Sequence, residues 1–149
     1  MSLKRRLRSC KLQLERLDDR ALPSAGFRTI TDPDPRYDHE FGGVMTAYGA
    51  WLAISDPGDS YDGVFQAGSV RIFDQATGAV RLTIRNPEPG TIDQFGSTLA
   101  TFGDKLLIGS DSDNSLAGSA YVFDWSTGQE LYQLQNPRPF APNRFGFSF

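Results

Sequence analysis

The sequence predicts an all-β fold: two tandem four-stranded antiparallel units, the start of a third, and a short N-terminal helix ahead of them. Three observations predict it. The chain repeats itself with a period of about fifty residues, its apolar runs are short, as those of strands are, and turn residues punctuate those runs at regular intervals.

The first copy consists of FGGVMTAYGAWLAIS (41–55), a loop, and AGSVRIFDQATGAVRLTIRNPEP (67–89). The second consists of FGSTLATFGDKLLIG (95–109), a shorter loop, and AGSAYVFDWSTGQELYQLQNPRP (117–139), and FGFSF (145–149) begins a third. Ala67 and Ala117, Asp74 and Asp124, Gly78 and Gly128, Pro87 and Pro137, and Phe95 and Phe145 are all 50 residues apart. Phe41 and Phe95 are 54 apart, and the extra four residues fall in the loop 55–66, whose counterpart is 109–116. Length changes confined to one loop are what a repeated scaffold tolerates. The units are therefore 41–94, 95–144 and a partial third at 145–149.

In the second copy the strands are expected near 97–102, 105–109, 119–124 and 130–135. Gly103-Asp104 supplies the positive φ of a tight hairpin between the first two. In FDWSTG, and in FDQATG of the first copy, the aspartates Asp124 and Asp74 accept hydrogen bonds from turn amides, while Gly128 and Gly78 take the left-handed conformation. Val70 and Ile72, and Tyr121 and Phe123, alternate with period two, and Asn86-Pro87 and Asn136-Pro137 end the fourth strands because proline cannot donate to a ladder. Four antiparallel strands per unit, repeated radially, make the blade of a β-propeller. A closed propeller takes about four to eight blades, so 149 residues hold an incomplete one.

The order Phe-Gly, short hairpin, A-G-S-x-x-x-F-D-x-x-T-G and N-P-x-P over residues 41–149 resembles bacterial FG-GAP repeats, the integrin-alpha-like type of propeller blade. A weaker similarity to quinoprotein-type propeller repeats comes from F-D-x-x-T-G alone. The resemblance implies that Phe41 and Phe95 anchor contacts between neighbouring blades and that Gly42 and Gly96 let backbones approach closely. Integrin-type blades bind calcium through D-x-D-x-D-G in the first hairpin. Here that hairpin offers a single Asp104, so calcium does not carry over with the resemblance.

The net charge of −3 is unevenly spread: residues 1–22 hold seven Lys or Arg against three acids, which leaves the rest of the chain at −7. An acidic body argues against nucleic-acid binding, which needs clustered cations. The basic head, residues 1–24, lacks the continuous apolar stretch of an ordinary signal peptide. Leu14, Glu15, Leu17, Asp18, Arg20, Leu22 and Ser24 resemble instead the N-terminal motif of large exported or cell-surface proteins of planctomycete-type bacteria, and the plain alternative is an amphipathic surface helix. Residues 25–40, rich in Pro, Gly, Asp and Thr, read as a linker. No apolar run has the length of a transmembrane helix. The lone cysteine, Cys10, excludes an internal disulfide and a cysteine zinc cluster.

Oxygen-rich groups occur in two loops: Asp56, Asp59 and Asp62 in the first copy, and Asp111, Asp113 and Asn114 in the second. They suit a hard cation, but the preferred reading is solvated loop residues bonded to their own backbone, and no metal, cofactor or catalytic residue is assigned. The only histidine, His39, and Cys10 have no evident partners for a nucleophilic triad. Trp51 and Trp125 are candidate sugar platforms, with packing on a neighbouring blade preferred for Trp125. The expected function is a non-enzymatic repeat protein, extracellular or on the cell surface, acting as a scaffold for an unidentified protein or glycan and prone to self-association through exposed blade faces. The alternative is a truncated or split fragment of a larger propeller protein without activity of its own.

Overall fold

A computed structural model describes residues 29–37, 39–138 and 143–149. Tight turns between short apolar runs produce meanders, and the described residues form two of them. The first sheet holds β1 (Met45–Tyr48), β2 (Trp51–Asp56), β3 (Ser69–Asp74) and β4 (Val80–Arg85) in that order; the second holds β5 (Thr98–Phe102), β6 (Lys105–Ser110), β7 (Ser119–Asp124) and β8 (Glu130–Gln135). Every pairing is antiparallel. The strands expected from sequence in the second copy agree with β5 to β8 to within one residue. The helix and targeting-like motif expected at 1–24 lie outside the described residues. The only helical element among the described residues is one turn, Asp113–Leu116, and it is distorted: Asn114, Ser115 and Leu116 all have positive φ.

The turns behave as their residues dictate. Gly49 and Gly103 have φ of 57° and 58° in the first hairpins, and Gly78 and Gly128 have 72° and 70° in the third. Asp124 Oδ1 accepts from the amides of Ser126 (2.9 Å) and Thr127 (3.0 Å) and from both hydroxyls. The Ser126 hydroxyl first, and then the Thr127 amide and hydroxyl, hold this carboxyl well below the usual carboxylate range. Asp74 accepts from the Thr77 amide and hydroxyl in the same way. Even the irregularities recur, since the ladder shifts register at Ile72/Phe73 and again, fifty residues on, at Val122/Phe123.

One core fills the space between the sheets. It takes Ala53, Val70, Ile72 and Ile84 from the first, and Phe95, Leu99, Leu106, Ile108, Tyr121, Phe123 and Trp125 from the second copy. Alternation along β3 and β7 therefore works in opposite senses: Val70 and Ile72 look forward to the second sheet, and Tyr121 and Phe123 look back to the first. Phe95 is fully buried and meets Tyr121 and Phe123 edge-on, with centroids 5.5 and 6.0 Å apart. Its burial is worth about 2–3 kcal/mol. β1 and β5 are closest across the gap, where the hydroxyls of Thr46 and Thr101 lie 2.8 Å apart.

The backbone clasps the same junction. The amide of Phe95 donates to Ala67 O (3.2 Å), and that of Phe145 donates to Ala117 O (2.9 Å). Gly68 and Gly118, at φ of 85° and 78°, lie directly against Phe95 and Phe145; a Cβ on Gly68 would overlap Phe95 O and N. Gly96 also sits close, 3.1 Å in Cβ terms from Ser69 O, whereas Gly42 faces open space. The close-approach role expected of Gly42 is thus corrected: no preceding sheet lies against it among the described residues, and approaches nearly as tight as any among the described glycines belong to Gly68 and Gly118, the glycines of each A-G-S.

Candidate functional site

On the face of the first sheet that looks away from the second, Asp32 and His39 of the preceding segment lie against Asp56 and Arg71 and form a buried polar cluster with them, while Met45 on the same face stays exposed. Alternation sends Arg71 of β3 to this face, opposite Val70 and Ile72. Asp56 ends β2, and Asp59 follows through a turn closed by the Asp59 amide on Asp56 O (3.1 Å). The preceding segment brings in Asp32 and His39.

The distances define one network. Arg71 Nη1 donates to Asp56 Oδ2 at 2.6 Å and lies 3.7 Å from Asp32 Oδ1, while Nη2 is 3.6 Å from Asp59 Oδ2. The Ser69 hydroxyl also donates to Asp59 Oδ2 (2.6 Å). His39 Nδ1 is 3.2 Å from Asp56 Oδ2 and 3.7 Å from Asp32 Oδ2, and its Nε2 faces Asp59 Oδ1 at 3.9 Å. The His39 side chain is 3% exposed and that of Asp56 is fully buried. Among the described residues, neither imidazole nitrogen has a hydrogen-bond partner, and neither does Asp56 Oδ1. Burial pushes the Asp56 carboxyl up, against the Arg71 hydrogen bond and the charges of His39 and Arg71 that lower it. An open recess of about 760 Å³ adjoins the cluster, bounded by Pro33, Arg36, Asp59, Tyr61, Arg71 and Arg85 among others.

The second copy occupies the same positions with different chemistry. Tyr121 replaces Arg71, Ser110 replaces Asp56, and Asp113 replaces Asp59, its backbone oxygen accepting from Gly118 as Asp59 O accepts from Gly68. Tyr121 donates its phenolic proton to Asp113 Oδ2 (3.3 Å), and burial pushes that phenol far up. Asp93, 54 residues after His39, accepts from Asn86 Nδ2 (3.0 Å) and from the Gly90 amide. Burial first, and then the Asp113 charge, push its carboxyl up.

A folded-state pKa above the unfolded value makes Asp93 favour folding fully only below the unfolded pKa. That contribution is lost as pH rises through the folded pKa. Asp93→Asn keeps an oxygen for both donors and matches Asn143, the residue 50 positions further on. The variant is expected to unfold at an equal or higher temperature at pH 7, and to lack the part of the stability decline that wild type shows as pH rises above about 4. Thermal melts across that range check it; a variant less stable at pH 7 with an unchanged pH slope contradicts it.

Several sequence expectations change here. Asp56, Asp59, Asp111 and Asp113 are buried rather than solvated; Asp62 and Asn114 are exposed loop residues as expected. His39 has carboxylate neighbours that sequence alone did not reveal, because Asp56 and Asp59 come near it only through the sheet's fold. Asp32 and Arg71 were missed. The available signal was Arg71 itself, a charged residue standing where the second copy places Tyr121 within an apolar alternation. Cys10 lies outside the described residues. Trp125 is buried against the first sheet, with Tyr48 at a 6.0 Å centroid distance, and Arg81 donates to the backbone oxygens of Trp125 and Ser126. Trp51 carries the Arg81 guanidinium 4.2 Å over its ring, so one of its faces is covered. No protein-family model matches this sequence, and no curated protein matches it.

Proposed function

We propose that this chain is a non-catalytic repeat scaffold of the FG-GAP type, whose four-stranded sheets stack side by side as propeller blades and present a surface outside the cell for a protein or glycan. One observation carries the stacking: equivalent apolar positions are buried at the junction and bare at the two outer faces. Ile84 of β4 is 5% exposed under the second sheet, while its counterpart Leu134 of β8 is 43% exposed. On the opposite face, Leu99 of β5 is 8% exposed against the first sheet, and its counterpart Met45 of β1 is 60% exposed. Residues 145–149 support the same reading, because Phe145 repeats on the second copy the backbone contact that Phe95 makes on the first. A further sheet on either side would bury these residues.

The test is sedimentation of the full chain across a wide concentration range, beside a variant carrying Tyr132→Glu and Leu134→Glu. Both side chains are exposed, so the fold should survive. Wild type is expected to self-associate, and the variant to remain monomeric with the same cooperative unfolding. A wild type that stays monomeric at every concentration counts against lateral stacking. For the extracellular location, residues 1–30 fused to a reporter are expected to direct its export, and a reporter retained in the cytoplasm removes that part of the proposal.

A further inference from the structure

We infer that Asp32, His39 and Asp56 form a binding site for one divalent transition-metal ion of the zinc class. The site stands independently of sheet stacking, and three observations support it. First, one ligand atom from each of the three residues lies within 4.8 Å of the others. The two closest spacings, 3.2 Å from His39 Nδ1 to Asp56 and 3.7 Å to Asp32, bracket the edge of a tetrahedron whose bonds are about 2.0–2.1 Å, an edge of about 3.3–3.4 Å.

Second, the imidazole is buried with neither nitrogen satisfied, and the Asp56 oxygen that Arg71 does not occupy is unsatisfied too. A buried polar group left without a partner is costly and calls for one. An ion accepting the Nδ1 lone pair satisfies that nitrogen, and its nearest Asp56 contact is Oδ2, the oxygen that also accepts from Arg71. It also leaves Nε2 facing Asp59 Oδ1 at 3.9 Å, and a closure of about 1 Å would complete the carboxylate–histidine hydrogen bond that usually orients a ligating imidazole.

Third, the charges do not balance within the cluster. Among the described residues, Asp32, Asp56 and Asp59 face one guanidinium, Arg71, which leaves two negative charges in the cluster if all three are ionised. A divalent cation beside neutral His39 closes that deficit. The nitrogen donor selects the ion class, because calcium and magnesium take oxygen ligands and imidazole suits zinc and its neighbours. Arg71 then serves as the counter-charge that holds Asp56 and Asp59 in place on the protein side of the ion.

With one histidine in the chain, its imidazole resonances report on this site alone. The full chain is labelled with nitrogen-15 at histidine, carries Cys10→Ser to remove the competing thiol, and is titrated with zinc sulfate alone. The expected result is a shift of the Nδ1 resonance to the metal-ligated position, saturating at one equivalent, with a raised melting temperature. Asp32→Asn, at a partly exposed position, is expected to fold normally and to weaken zinc affinity at least about tenfold. Asp62→Asn, in the exposed loop nearby, should leave affinity unchanged. The inference is overturned if the imidazole resonances do not move with zinc, if Asp32→Asn binds as tightly as the parent, or if calcium and not zinc produces the shift. A protonated His39 that simply pairs with Asp32 and Asp56 gives the first of those outcomes.

Discussion

Gly68→Ala is expected to destabilise the protein by about 3–5 kcal/mol, and Gly78→Ala by only about 1–2 kcal/mol. Both glycines have positive φ, 85° and 72°, so both substitutions incur the left-handed strain of about 1–2 kcal/mol that an L side chain meets there. They differ in surroundings. At Gly78 a Cβ meets nothing within 4 Å, while at Gly68 it overlaps Phe95 O and N and lies 2.8 Å from Phe95 Cα. Those are backbone atoms, tied down by the Phe95 amide on Ala67 O, so no rotamer change relieves the overlap. The junction must open and withdraw Phe95 from its pocket, which adds a loss of the kind seen when a core side chain is truncated. Urea denaturation of both variants measures the difference. Equal losses at the two sites would show that the junction is pliable and that the Phe95 backbone is not what Gly68 accommodates.

Phe95→Ala should cost about 3–5 kcal/mol, and Phe41→Ala clearly less, about 1–2 kcal/mol for a partly buried side chain. Sequence alone treats the two as equivalents, each opening a copy. The structure separates them: Phe95 is fully buried among Tyr121 and Phe123, whereas Phe41 is half-buried and touches Phe73 edge-on at 6.1 Å with Arg71 near its ring. The edge-to-face pairs add about 0.5–1.5 kcal/mol to what Phe95 contributes beyond its area. The measurement is again equilibrium unfolding, with a midpoint shift at unchanged slope expected for both. If both variants lose the same stability, the asymmetry between the inner junction and the outer face is not energetic.

How much was legible in the sequence follows from the range of each interaction. Hairpin ends were readable because their causes are local: Gly103 supplies its own φ, Asp124 caps Ser126 and Thr127 in the turn that follows it, and Pro137 stops β8 without help from elsewhere. The candidate site was not readable, although Asp56, Asp59 and His39 were each noticed. Asp32 and Arg71, needed to complete it, lie 24 residues before Asp56 and 15 after it. Only antiparallel pairing of β2 with β3, and the placing of Asp32 and His39 against their outer face, brings those groups within 4 Å of one another.

By itself, the sequence determined the all-β class, the two four-stranded units, their turns and their strand limits, because a fifty-residue period and local backbone chemistry suffice for that. The tertiary structure alone decided which equivalent residues differ in environment. Leu99 and Met45 occupy the same place in their copies, and so do Tyr121 and Arg71, yet one face meets a second sheet and the other meets a polar lead-in. Burial is a property of what lies across the gap, and a repeat cannot encode its neighbour in its own pattern.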